Sequence, residues 1–273
     1  MEILYQSNVF SSTKITRERQ LLAECSIIST DYDAAGQLLL DYHSYRIEEA
    51  RWEIGRSPGG QHNGSGEALE LIGVEAYLDI GSSLRAKVGS ERGGLPLELL
   101  SECVKAVVQA ETFMLLDRGY PTPEAYEEHW DKMYLNSCRY YSNLHRVDGG
   151  YWLENAAYRR SLCLFNRAVD CRVIRVGDDC YSVAGGFCDS AHELSVLIDL
   201  DREGTVIHGA GNFLRAPDDV CQESVAHIAK LMGRNLTEMN KKDIGGLLGG
   251  GQGCVHLVDL VYAIARGAKI VRG

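Results

Sequence analysis

Three cysteines in the second half of the chain stand at places where a metal or a substrate could be held. Cys188 precedes a predicted strand, Cys221 opens a predicted helix, and Cys254 opens the last predicted helix. A thiol at a helix N-terminus faces the positive end of the helix dipole, which lowers its pKa and favours the thiolate. We therefore expect Cys221 and Cys254 to be thiolates able to bind zinc or iron.

Two histidines accompany these cysteines. His192 follows Cys188 by four residues, and His256 follows Cys254 by two. On a continuous helix, positions 254 and 256 point about 200° apart, so both bind one ion only if the helix begins between them. A set of thiolates and imidazoles suits zinc, iron or an iron–sulfur cluster and is unsuitable for magnesium or calcium. The predicted metal ligands are Cys188, His192, Cys221, Cys254 and His256.

Composition excludes several classes of function. Lys and Arg number 28 against 38 Asp and Glu, which gives a net charge of −10 and argues against binding to nucleic-acid phosphates. No apolar run reaches the roughly 18–20 residues that a membrane span needs. The N-terminal sequence lacks the basic start and apolar core of a secretion signal, so the nine cysteines are expected to be thiols or metal ligands in a soluble, cytoplasmic protein.

The elements that must position these side chains are strands followed by helices. Strands are predicted at 161–165, 171–176, 194–199 and 204–207, with a tight turn over 201–204. A helix is predicted at 219–232, followed by a glycine-rich loop over 245–253. The apolar face of the last helix consists of Leu257, Leu260, Val261, Ile264 and Ala265. This order predicts an α+β fold, with an antiparallel sheet and helices packed on one face.

The first half resembles a degenerate copy of the second. Arg56-Ser-Pro58 matches Arg215-Ala-Pro217, and Glu102-Cys103-Val-Lys105 matches Gly253-Cys254-Val-His256, which places Lys105 opposite His256. We predict an internal duplication with a degenerate repeat at 1–118, a helical, aromatic-rich connector at 119–159, and a repeat at 160–273 that carries the site. His62 stands opposite Cys221 and is a candidate cofactor-binding residue, in a cleft between the halves.

Two resemblances extend this interpretation. The segments 188–194 and 203–207, with Cys221 and 253–257, resemble the U-type iron–sulfur cluster scaffold family, whose three cysteines would fall on Cys188, Cys221 and Cys254. The chain departs from that family at Ser190, where an aspartate is expected next to Asp189, and at Gly253, where a histidine is expected. The chain also resembles an uncharacterised bacterial family of unknown function through His192, Pro217 to Cys221, and 253–257. That second resemblance implies no activity.

Three functions remain open. The leading one is a scaffold-like protein that holds a metal or a cluster and exchanges it with a donor or acceptor protein. The alternative is a metal-dependent hydrolase or lyase for a small polar metabolite, with Cys221, Glu193 and Asp259 as candidate catalytic residues. A third is a partner-binding module, with a homo-oligomer as one form, whose interface uses the connector aromatics Tyr134, Tyr140, Tyr141, Tyr151 and Trp152.

Overall fold

The computed structural model describes residues 1–148 and 160–272. These residues form nine strands and six α-helices, which confirms the predicted α+β class. Tyr151 and Trp152 of the predicted connector lie outside the described residues. No helix in the described part of the chain has the length and apolar character needed to cross a membrane.

The elements of the first half are as follows. The strands are β1 (Glu2–Ile15), β2 (Gln20–Ser29), β3 (Asp33–Asp41), β4 (Ile47–Arg56) and β5 (Gly64–Glu67). The helices are α1 (Gly81–Val88), α2 (Leu95–Ala110) and α3 (Pro123–Met133). The helix α3 begins at Pro123, within the predicted connector at 119–159.

The second half contains four strands and three helices. The strands are β6 (Phe165–Arg175), β7 (Cys180–Asp189), β8 (Glu193–Asp201) and β9 (Val206–Arg215). The helices are α4 (Asp219–Gln222), α5 (Lys241–Leu248) and α6 (Val255–Ala268). A 3-10 helix over Glu223–Leu231 follows α4 directly, so the helix predicted at 219–232 is mostly of the 3-10 type.

The described chain divides into two units. The N-terminal unit contains residues 9–123 and 160–167, with the strand order β5-β4-β3-β2-β1-β6. The C-terminal unit contains residues 1–8, 124–148 and 168–272, with the order β1-β6-β7-β8-β9. The strands β1 and β6 each contribute residues to both units.

The core of the C-terminal unit lies between the sheet and α6. Alternate residues of β7 and β8 are buried, as expected of a sheet covered on one face. The five predicted apolar residues of α6 are all fully buried, which confirms that face. At Gly185 a Cβ would lie 2.8 Å from Ile264 and 2.9 Å from Leu260, so the glycine lets the helix approach the sheet closely.

The β2–β3 pair of one unit and the β7–β8 pair of the other have the same register at one offset in the sequence, whereas β9 is displaced by one residue from the position that this offset gives for β4. Gln20 pairs with Asp41 in one unit, and Cys180 pairs with Asp201 in the other, so both partners shift by the same number of positions. The helices α2 and α6 begin at Leu95 and Val255, which are separated by that same offset. This correspondence supports the duplication, which stays a prediction.

The structure corrects the helix alignment made from sequence. Cys103 lies inside α2 and does not open it, so the predicted match of Cys103 with Cys254 is wrong. At the offset set by the strand registers Pro96, and not Lys105, corresponds to His256. The reason is local: Gly94 has φ +85°, which ends the preceding turn, and Pro96 suits a first helical turn.

Two further predictions differ in detail. Residues 161–164 are not strand, because β6 begins at Phe165. The predicted glycine-rich loop at 245–253 begins inside α5, whose start is fixed by a capping box between Asn240 and Asp243. The turn over 201–204 is formed as predicted, with Gly204 at φ +84°.

Candidate metal site at the start of the last helix

The turn between β7 and β8 is built around the carboxylate of Asp189. Its Oδ1 accepts hydrogen bonds from the backbone amides of Ala191 (2.8 Å) and His192 (2.7 Å). The guanidinium of Arg215 donates to the carbonyl oxygens of Asp189 (2.7 Å) and Ser190 (2.8 Å). The Asp189 side chain is fully buried, so these bonds hold its carboxylate in one place.

His192 is oriented by the same carboxylate. Its Nδ1 lies 3.2 Å from Asp189 Oδ1, and its side chain is 9% exposed. The contact is a hydrogen bond when the ring carries its proton on Nδ1. With the ring deprotonated at that atom, the same separation fits a carboxylate oxygen and an imidazole nitrogen bound to one metal ion, whose bonds to each are about 2.0–2.2 Å.

His256 completes a group of three ligand-bearing side chains. It is the second residue of α6, and its ring centroid lies 3.8 Å from that of His192 and 5.2 Å from that of Phe187. One possible ligand atom each of Asp189, His192 and His256 lies within 4.8 Å of the other two. Among residues 1–148 and 160–272, this is the one group of three or more His, Cys, Asp or Glu residues that meets this distance.

Two imidazoles and a carboxylate are a donor set found at catalytic zinc and at non-haem iron(II). Two imidazoles that bind one ion have ring centroids about 4.5 Å apart at a right angle and about 5.2 Å apart at the tetrahedral angle of zinc, given metal–nitrogen bonds of about 2.0–2.1 Å. The tilted rings of His192 and His256 would therefore separate by about 0.7–1.4 Å on binding. Rotation of the His256 side chain, which is partly exposed, can supply that movement.

Cys254 meets the condition set by its spacing from His256. The helix α6 begins at Val255, and Cys254 precedes it with an extended backbone (φ −137°, ψ 126°). Its Sγ therefore lies 3.8 Å from His256 Nδ1. The structure brings His192, His256 and Cys254 into one neighbourhood, although Cys254 does not belong to the group of three.

The expected lowering of the cysteine pKa values is wrong. Burial raises the pKa of Cys254 to about 11. Burial, and then the charge of Cys254, raises the pKa of Cys221 to about 12. The helix α4 that holds Cys221 has only four residues, so its dipole is too small to offset the loss of solvent.

The other predicted ligands and catalytic residues lie elsewhere. Cys188 is an exposed residue of β7 whose Sγ lies 3.8 Å from Arg215, and its partner across the sheet is Glu193. Cys221 is buried in a small apolar cluster with Val220 and Tyr140.

Asp259 and His62 also have structural partners. Asp259 forms an ion pair with Lys241 at 2.5 Å. His62 belongs to the N-terminal unit, where its amide donates to Ser57 Oγ at 3.0 Å. The structure brings neither residue into the group formed by Asp189, His192 and His256.

Sequence reasoning did not select Asp189 as a ligand. It treated this residue only as a neighbour of Ser190, because the scaffold family suggested an aspartate at that position. A local signal was present, since an aspartate between two strands commonly accepts hydrogen bonds from the amides two and three residues later. That turn fixes both the carboxylate and the imidazole three residues further on.

One part of the chain is similar to a known protein family. Residues 165–269 match a family described as "Protein of unknown function (DUF2889)". The matched segment contains Asp189, His192, Cys254 and His256. Neither the curated proteins nor the solved structures include a match to the chain.

Proposed function

We propose that this protein binds one divalent transition-metal ion through Asp189, His192 and His256, and that it is a metal-dependent enzyme. The observation that carries this proposal is the convergence of one carboxylate and two imidazoles within 4.8 Å, at the junction of a fixed turn and a helix start. Asp189 and His192 are both buried, with 5% and 7% of the whole residue exposed.

The chemistry follows from the number of ligands. Three protein ligands leave a position on zinc for water, whose pKa zinc lowers to about 7, or for a substrate oxygen. This favours hydrolysis or elimination on a small polar metabolite as the reaction class. The proposal gives Glu193, Cys221 and Asp259 no role in binding the ion, because their side chains lie outside the group of three.

Elemental analysis tests the metal site. We expect the wild-type protein, supplied with zinc or iron(II) and desalted, to retain about one ion per chain. His192→Ala and His256→Ala are expected to retain almost none, because each removes a ligand.

The matched control is His208→Ala. His208 Nδ1 lies 3.3 Å from Asp199, almost the distance between His192 and Asp189, but the His208 side chain is 59% exposed. This variant should bind metal as the wild type does. Equal retention by wild type and His256→Ala would contradict the proposal, as would a wild-type protein that retains no metal.

An iron–sulfur scaffold is the second candidate function. The observation in its favour is that Cys254 lies beside His256 and is close enough to Cys221 to raise its pKa. Anaerobic reconstitution with iron and sulfide should then produce the visible absorbance of a cluster, and Cys221→Ser should lose it. A colourless protein with about one bound ion would favour the mononuclear enzyme.

A further inference from the structure

We propose that Cys254 closes this metal site by supplying a fourth ligand, so that water reaches the ion only when the sulfur leaves. The inference rests on the proposed site formed by Asp189, His192 and His256, and it concerns the regulation of that site. It assigns to Cys254 a role different from that of the equally buried Cys221.

The distance between the sulfur and the imidazole supports this role. Zinc–sulfur and zinc–nitrogen bonds are about 2.3 Å and 2.0–2.1 Å, so sulfur and nitrogen on one ion are about 3.6–3.8 Å apart for angles between about 109° and 120°. The separation of Cys254 Sγ and His256 Nδ1 is 3.8 Å. The two atoms therefore have the spacing of neighbouring ligands, and rotation of the Cys254 side chain has to bring Sγ closer to the ion held by Asp189 and His192.

The backbone fixes Cys254 in that position. Its amide donates to the carbonyl oxygen of Leu248 at 2.9 Å, and its carbonyl oxygen accepts from Val258 at 3.1 Å. Gly253 permits this close approach, since a Cβ there would lie 1.9 Å from the Leu248 oxygen. The last residue of α5 and the first turn of α6 thus hold the sulfur beside His256.

A fourth ligand changes what the ion can do. Zinc sites with four protein ligands are closed, whereas catalytic sites keep one position for water or substrate. In the exchange a thiolate–metal bond would break and a water–metal bond would form in its place. No change of oxidation state is involved. A thiolate also selects zinc or cobalt(II) over magnesium or manganese.

Cobalt(II) provides a direct test, because a thiolate bound to cobalt gives a sulfur-to-metal charge-transfer band in the near ultraviolet. We expect this band in the wild-type protein loaded with cobalt(II). Cys254→Ser should lose the band but still bind cobalt through the other three ligands, with an affinity lower by about tenfold or more. Cys221→Ser should keep it and is the matched control, because both cysteines are 7% exposed.

The wild-type spectrum makes the test independent of how well the variant folds. Cobalt bound by the wild type without a thiolate band would overturn the role of Cys254 and leave the three-residue site intact. Persistence of the band in Cys254→Ser would also overturn it. If the wild type binds no cobalt or zinc at all, the metal site itself is wrong, and the inference fails with it.

Discussion

Asp189 has two separable tasks, and a pair of substitutions distinguishes them. Its Oδ1 accepts from two backbone amides in the turn, and its carboxylate belongs to the proposed metal site. The N-terminal unit shows how the first task is done without a carboxylate. There Ser29, which the strand registers place opposite Asp189, accepts with its Oγ from the amides of Asp31 (3.2 Å) and Tyr32 (2.9 Å).

The expected stabilities follow from these bonds. Asp189→Ala removes the acceptor for two buried amides, and at about 1.5–3 kcal/mol for each charge-assisted bond the loss is about 3–6 kcal/mol. Asp189→Ser keeps two neutral hydrogen bonds, worth together about 2 kcal/mol. The serine variant should therefore be more stable than the alanine variant by about 2 kcal/mol, and both should lose the metal.

Urea unfolding in the presence of a chelator measures the stability difference. With a slope of about 1–3 kcal/mol/M, the midpoint of Asp189→Ser should lie roughly 1 M above that of Asp189→Ala. Equal midpoints would show that the two hydrogen bonds do not stabilise the turn. Full metal retention by Asp189→Ser would show that the carboxylate is not part of the site.

Three other predictions concern stability. Because burial raises the pKa of Cys221 to about 12, the folded chain keeps a proton that the unfolded chain loses near pH 9. The free energy of unfolding should therefore fall as pH rises from about 9 to 12, and it should fall less steeply in Cys221→Ala. Equal slopes in the two proteins would refute this prediction. Glu111, which is 1% exposed, accepts hydrogen bonds from Tyr77 (2.6 Å) and Arg118 (3.0 Å). Glu111→Ala should therefore lower the free energy of unfolding by about 3–5 kcal/mol, measured by thermal or urea unfolding. A loss below about 1 kcal/mol would contradict this reasoning. At Gly36 a Cβ would lie 2.7 Å from the Cβ of Leu99, whereas at Gly185 it would meet only outer side-chain atoms of Ile264 and Leu260. Gly36→Ala should therefore lower the free energy of unfolding by about 1–3 kcal/mol, and by more than Gly185→Ala does. The reverse order of stability in urea would be inconsistent with this packing.

Local patterns in the sequence were sufficient to predict the fold class and the buried face of the last helix. The spacing of Leu257, Leu260 and Ile264 identified the buried face of α6, because helical periodicity is a property of neighbouring residues. The alignment of Cys103 with Cys254 failed because it did not use the local residues that start a helix. It matched single residues and passed over Gly94 and Pro96, the residues that determine where α2 begins.

The site was only partly accessible from sequence. His192 and His256 were selected because of their residue type and their places near element ends. The thiol pKa values were not predictable, because they depend on the burial of Cys221 and Cys254, which tertiary packing decides. Asp189 was missed because its importance comes from a turn geometry that places its carboxylate against the imidazole of His192.

The repeated register allows the three-ligand site to be tested by transplantation. In the N-terminal unit, three positions at the constant register offset correspond to the proposed ligands: Ser29, Tyr32 and Pro96 correspond to Asp189, His192 and His256. The turn already exists there, since Ser29 makes the hydrogen bonds of the Asp189 turn and Arg56 donates to the carbonyl oxygens of Ser29 (2.6 Å) and Thr30 (2.6 Å). What that unit lacks is the donor atoms.

Replacing Ser29, Tyr32 and Pro96, which are not usual metal ligands, by residues that bind metal should create a site in the N-terminal unit. In a His192→Ala, His256→Ala background, the substitutions Ser29→Asp, Tyr32→His and Pro96→His together should restore binding of up to one zinc per chain, measured by elemental analysis after desalting. The same protein without Pro96→His should bind much less, because two ligands hold zinc weakly. If the triple variant keeps its circular dichroism spectrum and binds no zinc, a carboxylate and two imidazoles on this turn and helix start are not sufficient for a site. The geometric argument for Asp189, His192 and His256 would then lose its basis.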